Sequence, residues 1–269
     1  MYASPMTKEN DPEALKQSYQ ALKDHGFTAA KIFVNGPVRS EKNGRDEFFC
    51  GRIEEELEKV EMIREAVGKD FDLILETHRG MTKPEAITFG QEAAAFRPMV
   101  LEDPVTPDNL DTMAEVASKI AVPIATGERF INIKEFEMLF RRDAASYVRP
   151  DVCAIGGITA AKKICGMAEA NDVLIIPHNP LGPVSTAACL QICASIPNFG
   201  IQELPGFCLN GAEDAMVQKP FTVKDGCLII PDAPGIGIEL SEHACELYPL
   251  KDRGGLEAKR MFDGSVKDW

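Results

Sequence analysis

The sequence lacks the signals that would connect it to nucleic acid or to a membrane. It has no basic run, and 29 Lys and Arg against 42 Asp and Glu give a net charge of −13, which repels phosphate backbones and anionic lipids. No stretch of about 18 apolar residues occurs. The first residues include Asn10, Asp11 and Glu13, where a signal peptide would be apolar. We therefore expect no nucleic-acid or membrane partner and predict a soluble cytoplasmic protein.

The eight cysteines form no Cys-x-x-Cys pair, the close spacing that metal clusters and redox motifs usually need. Their scatter through apolar segments of a long chain is typical of free buried thiols that serve as small hydrophobic side chains. No Gly-x-Gly-x-x-Gly turn follows the first predicted strand, which argues against an open sheet that binds a dinucleotide.

Short apolar runs recur along the chain, and a polar residue follows each of six of them at intervals of 23 to 27 residues. A strand, a loop, a helix and a return loop occupy about that much chain. The 269 residues are enough for one barrel of about 250 residues but not for a second large domain. We therefore predict an α/β fold, a TIM-type (β/α)7β barrel. The six polar residues are Glu76, Glu102, Glu128, Asp151, His178 and Glu203.

The predicted barrel occupies residues 1–205, and residues 206–269 form a C-terminal extension. Eight predicted strands run in one direction, from Tyr2-Ala3-Ser4 to Phe199–Gln202. In the extension Pro and Gly dominate, and short β-like runs on either side of Lys224-Asp225-Gly226 predict a hairpin. We expect the extension to pack on the barrel or on a capping domain.

The polar stretch from Asn35 to Cys50 is longer than an ordinary connection between a strand and a helix. Loops of this kind over the mouth of a barrel are often lids, and Arg39, Lys42 and Arg45 could contact an anionic substrate there. A solvated loop explains the same composition, so both interpretations stay open.

Glu76, Glu102 and Glu128 follow three successive predicted strands. The carboxyl ends of all strands in a parallel barrel meet at one face, so these acids should converge there. Three adjacent carboxylates repel one another unless a cation lies between them, and Mg²⁺ prefers carboxylate and water ligands. The spacing predicts a Mg²⁺ site, with three solvated acids at loop ends as the alternative.

Asp151 and His178 follow neighbouring predicted strands, across the barrel from the acids. A carboxylate bound to one ring nitrogen fixes the tautomer, so that the other nitrogen can accept a proton. His78, two residues after Glu76, would project to the same face by strand alternation and act as a second acid-base group. The alternative for each histidine is a structural hydrogen-bonding role.

Six sequence strings, in this order, resemble the barrel motifs of the mandelate racemase/muconate lactonizing branch of the enolase superfamily. Within that branch they most resemble galactonate dehydratase-type sugar-acid dehydratases. The resemblance covers nearly the whole chain and is more specific for the superfamily than for the substrate. The strings are Glu76-Thr77-His78, Leu101-Glu102-Asp103-Pro104-Val105, Ala125-Thr126-Gly127-Glu128-Arg129, Arg149-Pro150-Asp151 with Gly156-Gly157-Ile158-Thr159, Pro177-His178-Asn179-Pro180-Leu181-Gly182-Pro183, and Gln202-Glu203.

The resemblance implies a hydro-lyase that acts on an acid sugar, an aldonate such as galactonate. The proton α to the carboxylate would be removed through an enediolate, and loss of the 3-hydroxyl would give a 2-keto-3-deoxy acid. Phe33 stands where racemases and cycloisomerases of the branch carry the second lysine of a Lys-x-Lys, which favours dehydration. The implied roles are Mg²⁺ binding by Glu76, Glu102 and Glu128, a base formed by His178 with Asp151, an acid at His78, and a hydrogen bond from Glu203 to the bound carboxylate.

Two departures from the family pattern bear on function. Glu76 stands where the family usually has Asp, so the metal would sit displaced or bind less tightly. Family members also carry an N-terminal capping domain that is absent from this sequence, so we expect a fragment or a separate capping polypeptide, and a homo-oligomer. Epimerisation or cycloisomerisation through the same enediolate, and a barrel fragment without catalysis, stand as alternatives.

Overall fold

Seven parallel strands follow one another around the sheet in the order in which they occur in the chain. The computed structural model describes residues 1–5, 11–34, 49–205 and 214–249. Each strand pairs in parallel with the next. The strands are β1 (Tyr2–Ala3), β2 (Ala29–Phe33), β3 (Asp72–Glu76), β4 (Val100–Glu102), β5 (Ile124–Thr126), β6 (Tyr147–Val148) and β7 (Leu174–Ile175).

The sheet closes on itself through residues 198–204, where the sequence predicts an eighth strand. This segment forms single β-bridges, Phe199 with Ile175 on one side and Glu203 with Tyr2 on the other. Gly200 N donates to Ile175 O at 2.9 Å, and Tyr2 N donates to Gln202 O at 2.9 Å. The predicted closed parallel barrel is confirmed, but the eighth segment is bridged at two points instead of forming a regular strand. Gly200 lies in its middle, and glycine weakens a strand interior.

Helices connect the strands, and side-chain caps fix where several of them begin. Thr82 N donates to Glu85 Oε2 at 2.7 Å at the start of the third helix, where the sequence shows a capping-box pattern. The fourth helix begins at Leu110 because the Asn109 side chain accepts from Asp111 N and Thr112 N, each at 3.1 Å. The helices are α1 (Pro12–Asp24), α2 (Phe49–Val67), α3 (Lys83–Ala93), α4 (Leu110–Lys119), α5 (Ile133–Phe140), α6 (Gly157–Glu169) and α7 (Pro183–Cys193), followed by the short α8 (Ala244–Leu247).

The barrel interior changes from apolar to ionic along the strand direction. Side chains alternate between the two faces of each strand, so every second residue points inward. An apolar cluster comes first and consists of Tyr2, Ala29, Ile74, Val100, Ala125, Ile176 and Ile201, with the partly buried Tyr147 packed against it. In five of these segments, the residue two positions further along is buried and charged. In the order Ala29, Ile74, Val100, Tyr147 and Ile201, these charged residues are Lys31, Glu76, Glu102, Arg149 and Glu203.

The opposite faces of the strands pack against the helices and form the outer core. Ile32 and Leu73 belong to a cluster that includes Leu22 of α1 and Val60 of α2. Ile175 belongs to a second cluster on the other side of the barrel. The inward face is therefore free to hold polar groups while the outward face supplies the hydrophobic stabilisation of the fold.

The described part of the C-terminal extension contacts the amino ends of β1 and β2, opposite the strand ends that carry the acids. Its hairpin, β8 (Val223–Lys224) with β9 (Cys227–Leu228), is antiparallel, as predicted. Gly226 in the turn has a φ of +72°, and a Cβ there would come within 1.9 Å of Gly26 O, just before β2. Leu228 packs against the outer core around α1 and α2. The boundary at residue 205 stays a prediction.

The three basic residues of the predicted lid loop, Arg39, Lys42 and Arg45, lie outside the described residues. A lid and a solvated loop therefore both stay open as interpretations. Among the helices that the structure describes, none is both long and apolar enough to cross a membrane.

Candidate metal centre and acid-base pair

Three carboxylates meet at the carboxyl ends of β3, β4 and β5. Glu76 and Glu102 are the last residues of neighbouring strands and are partners in the register of the sheet. Glu128 follows the end of β5 at Thr126 by two residues. One oxygen from each acid lies within 4.8 Å of the others. Glu76 is 1% exposed and Glu102 is fully buried, so bulk water does not screen their charges from each other.

Two buried cations contact these acids from other strands. Lys31 Nζ, on β2, lies 3.2 Å from Glu76 Oε2 and 2.9 Å from Glu102 Oε1. It also lies 3.2 Å from Glu203 Oε1. Arg149, just after β6, has Nη2 2.7 Å from Glu203 Oε2 and Nε 2.7 Å from Glu102 Oε1, the latter an ion pair without hydrogen-bond alignment. Such pairing is needed because an isolated buried charge is very costly.

Lys31 and Arg149 leave the carboxylate cluster with an unpaired hydrogen-bond acceptor and with repulsion between its charges. Burial raises the pKa of Glu76 well above its ordinary value, and the charge of Glu102 raises it further. Glu102 Oε2 is buried and has no hydrogen-bond partner. A divalent cation would fill this unmet acceptor and remove the repulsion between the two acids. The donor set consists only of carboxylate oxygens, which fits Mg²⁺ better than Zn²⁺, since Zn²⁺ favours His and Cys.

Glu128, the third acid, connects the cluster to the histidine. Burial acts to raise its pKa, but the neighbouring His178 ring and the charges of Arg149, Lys31 and Arg79 outweigh burial and lower the pKa to about 2. Glu128 Oε1 accepts from Arg79 Nη1 at 2.5 Å. Glu128 Oε2 lies 3.4 Å from His178 Nε2. The acid is therefore charged and lies next to the ring.

Asp151 and His178 form a close pair across neighbouring strands. The two residues share a β-bridge, and His178 Nδ1 lies 2.9 Å from Asp151 Oδ2. Asp151 Oδ1 accepts from the backbone N–H of Cys153 at 2.8 Å. Burial acts to raise the pKa of Asp151, but hydrogen bonds from His178 and Cys153 lower it below its ordinary value. A charged Asp151 keeps the hydrogen on Nδ1, which leaves Nε2 as the proton acceptor.

His78 is placed by a turn and not by strand alternation. β3 ends at Glu76, and His78 and Arg79 follow with φ of 50° and 64°. His78 N donates to Glu76 Oε1 at 2.6 Å, and its ring Nε2 lies 2.7 Å from Arg79 Nη2. The alternation argument for His78 is therefore wrong, because the strand stops before it. These contacts hold two residues in a left-handed conformation that costs on the order of 1–3 kcal/mol each.

Glu203 is bound on several sides. Its Oε2 accepts from Asn179 N at 2.8 Å, in addition to the contacts with Lys31 and Arg149. Burial acts to raise its pKa, but the charges of Arg149 and Lys31 lower it well below its ordinary value. The structure thus holds Glu203 as a charged carboxylate beside the metal-ligand candidates.

The cations of the site are the residues that the sequence interpretation missed. Lys31, Arg79 and Arg149 are all buried, and Arg79 also pairs with Asp103 Oδ2 at 2.9 Å. One signal was available: Lys31 interrupts the apolar run of β2, and lysine is almost never fully buried unless it is paired. Arg149 precedes Asp151 in one of the six strings, but no sequence signal fixes the direction of its side chain.

A parallel barrel with three acids at successive strand ends, facing an Asp–His pair, is the architecture of the enolase superfamily. The chain belongs to the family described as enolase C-terminal domain-like, whose profile matches residues 13–244. It is 34% identical over 218 residues to the D-galactonate dehydratase of Ralstonia pickettii (strain 12J), an alignment that covers 78% of this chain and 57% of that protein. The chain thus spans somewhat more than half the length of this curated relative.

Solved structures show the same fold. A mandelate racemase/muconate lactonizing enzyme from Sulfitobacter sp. superposes with a TM-score of 0.83 at 32% identity, covering 94% of this chain and 65% of the other. A member of the enolase superfamily from Salmonella Typhimurium superposes with a TM-score of 0.81 at 30% identity, covering 91% and 66%. The predicted barrel and the predicted family are confirmed.

Proposed function

We propose that the chain provides the catalytic barrel of a Mg²⁺-dependent acid-sugar dehydratase whose substrate is an aldonate such as galactonate. The observation that carries the proposal is the position of the His178 ring. Its Nδ1 is bound to Asp151, and its Nε2 lies 3.4 Å from Glu128, so a general base lies directly beside the acid cluster. The identity of 34% to a D-galactonate dehydratase supports the substrate class.

Glu76, Glu102 and Glu128 would hold the Mg²⁺. When bound, the ion supplies a Lewis acid that neutralises charge developing on the substrate carboxylate. Lys31 and Arg149 both contact Glu102 Oε1, and this leaves Glu102 Oε2 as the oxygen without a partner. The two cations thereby fix the orientation of the ligand before the ion arrives.

His178 would accept the proton α to the substrate carboxylate at Nε2. Asp151 at Nδ1 and Glu128 near Nε2 place negative charge on both sides of the ring, which stabilises the imidazolium that results. The proton therefore comes to rest between two carboxylates.

His78 would donate a proton to the departing 3-hydroxyl, so that the hydroxyl leaves as water. A guanidinium only donates hydrogen bonds, so the 2.7 Å contact between Arg79 Nη2 and His78 Nε2 makes Nε2 the acceptor. This neutral ring is not yet an acid, because losing its one N–H hydrogen would leave an imidazolate. His78 would therefore act only after it takes up a proton from solvent at Nε2, which releases the contact with Arg79. The enol product would tautomerise to a 2-keto-3-deoxy acid.

Glu203 would contact the substrate carboxylate only after it takes up a proton. In the structure it is charged, and a charged carboxylate accepts hydrogen bonds but does not donate them. Two ionised carboxylates would repel each other. Since Arg149 and Lys31 hold its pKa well below the ordinary value, we propose that Glu203 positions these two cations, and its hydrogen bond to the substrate carboxylate stays a prediction.

A panel of acid sugars assayed with Mg²⁺ for 2-keto-3-deoxy products tests the proposal. His178→Asn should reduce product formation by roughly 10²- to 10⁴-fold, the usual effect of removing an acid-base group. His25→Asn is the matched control, because His25 ends α1 with its Nδ1 on Ala21 O at 2.6 Å, remote from the acids. Turnover without loss of water would favour epimerisation instead, and no turnover of any acid sugar would contradict the proposal.

A further inference from the structure

We infer that Lys31 sets the affinity of the acid cluster for its cation, as an internal counter-ion that shares carboxylates with the metal. The inference rests on the metal centre proposed above and assigns a positioning role to a residue on β2. Glu76 and Glu102 are the two carboxylates that would be shared.

Lys31 has a full set of partners. An ammonium group has three N–H donors, and Nζ lies within reach of three carboxylates: 3.2 Å from Glu76 Oε2, 2.9 Å from Glu102 Oε1 and 3.2 Å from Glu203 Oε1. The residue is 4% exposed, and its Nζ also stands 5.8 Å from the centre of the Tyr2 ring. The charge is therefore fixed in place and cannot turn away to solvent when a metal binds.

The position of this charge has opposite effects on the two states of the site. Without metal, Lys31 offsets the repulsion between Glu76 and Glu102 and stabilises the fold. With metal, the ammonium and a divalent cation share the same two acids and repel each other through a poorly screened interior. Loss of the lysine charge should therefore lower the stability of the metal-free protein and tighten Mg²⁺ binding. A lysine with only a structural role would lower stability without tightening the binding of the ion.

Lys31→Gln is the direct test, because glutamine keeps N–H donors but removes the charge. Lys31→Met removes both, and Lys83→Gln is the matched control, since Lys83 forms a surface pair with Glu115 at 2.6 Å. Mg²⁺ affinity is measured by titration calorimetry, and Tm is measured with and without Mg²⁺. We expect both Lys31 variants to bind Mg²⁺ at least about tenfold more tightly than the parent, which is about 1.4 kcal/mol, with a lower Tm in the absence of metal. Lys83→Gln should match the parent in Mg²⁺ affinity.

The outcomes separate this inference from the metal centre itself. If the parent binds Mg²⁺ and Lys31→Gln binds it equally or more weakly, the role of Lys31 is refuted and the metal centre stands. If neither the parent nor the variants bind Mg²⁺, both fail. Should the variants not fold without metal, folding is followed against Mg²⁺ concentration by circular dichroism. Recovery of the fold with Mg²⁺ supports the inference, and no recovery at millimolar Mg²⁺ overturns it.

Discussion

At the scale of single residues, each histidine of the site has one ring nitrogen already engaged. Asp151 binds Nδ1 of His178, and Arg79 binds Nε2 of His78. A carboxylate therefore contacts the first ring and a cation contacts the second. This difference gives the two residues separate tasks, one as an acceptor held by a carboxylate and one as a donor held by a cation.

Substitution of the two histidines should stop the reaction at different steps. His178→Asn should lose both dehydration and exchange of the α-hydrogen with solvent deuterium, because no base remains. His78→Asn should lose dehydration by roughly 10²- to 10⁴-fold yet still exchange the α-hydrogen of bound substrate. Mass spectrometry of recovered substrate and product measures both quantities. Exchange that persists in His178→Asn and vanishes in His78→Asn would reverse the two roles.

The buried thiols should resist alkylation. Burial raises the pKa of Cys165 to about 11 and that of Cys189 to about 12, and only the thiolate reacts. At pH 8 we expect iodoacetamide to modify both residues at least about 100-fold more slowly than the exposed Cys153 and Cys227. Peptide mapping in the native state gives the four rates. Rapid modification of Cys165 or Cys189 in the folded protein would show that the core around it opens.

The acids and the Asp–His pair could be predicted from sequence because each follows an apolar run, and topology alone brings strand ends together. The ion pairs that Lys31 and Arg149 form with carboxylates could not be predicted in this way. Their long side chains reach partners on other strands, Glu102 and Glu203, and the direction of a flexible chain depends on tertiary contacts that no local pattern encodes. Asp103, beside Glu102, is not one of the three clustered acids, and its Oδ1 accepts from Thr126 Oγ1 at 2.6 Å.

At the scale of elements, the turns after the strands are more strained than their sequences indicate. His78 and Arg79 after β3 and Asp103 after β4 all have positive φ, of 50°, 64° and 43°. None is glycine, so the strain is stabilised by the ion pairs among these side chains and the acids. Such turns explain why strand alternation fails as a guide beyond the last paired residue.

The hairpin turn of the extension should tolerate no side chain at its closest point. Gly226 and Gly235 both have φ of +72°, but a Cβ on Gly226 would meet Gly26 O at 1.9 Å, whereas a Cβ on Gly235 meets nothing within 4 Å. Gly235→Ala should cost about 1 kcal/mol for the backbone alone. Gly226→Ala should cost a further 1 to 3 kcal/mol, roughly, for the clash. Urea unfolding measures both, and equal losses would mean that the hairpin does not press against the barrel in solution.

Element type was easier to predict than element ends. The helices and strands alternate as the hydrophobic pattern indicates, but the first residue of a helix depends on local contacts, as at α4, which begins at Leu110 because Asn109 caps it. The hairpin was foreseen from Asp225-Gly226, a pair that favours a tight turn. The closing segment was not foreseen as irregular, since its apolar residues look like those of any buried strand.

At the scale of the whole molecule, the mouth of the barrel presents apolar side chains to solvent. Phe33 ends β2 and is 51% exposed, Ile131 lies in the loop after β5 and is 67% exposed, and Leu181 lies in the loop after β7 and is 44% exposed. Exposed apolar patches of this kind indicate a partner or a tendency to associate. The acid-sugar substrate, the homo-oligomer, the capping polypeptide and the cytoplasmic location stay predictions.

Polar substitution at the mouth should lower the binding of a hydrophobic dye. Ile131→Gln with Leu181→Gln should reduce dye fluorescence by at least about half, while unfolding free energy changes by about 0.5 kcal/mol or less, as for other exposed positions. Met138→Gln, at a 41% exposed site on α5, is the control and should leave the signal unchanged. If the parent binds no dye and remains monomeric at high concentration, the apolar side chains at the mouth do not promote association.

The ionic network inside the barrel also affects how the chain folds. Lys31, Glu102, Arg149 and Glu203 come from β2, from β4, from the end of β6 and from the closing segment, so no half of the barrel contains a complete set of partners. A partly assembled barrel would lack the contacts of Lys31 with Glu203 and of Arg149 with Glu102, and an incompletely paired buried charge is costly. Intermediates with a dry, unfinished interior are thereby disfavoured, and the last strand contacts should form together with the ion pairs. We therefore expect the residues that prepare the site for chemistry to make closure of the barrel more cooperative.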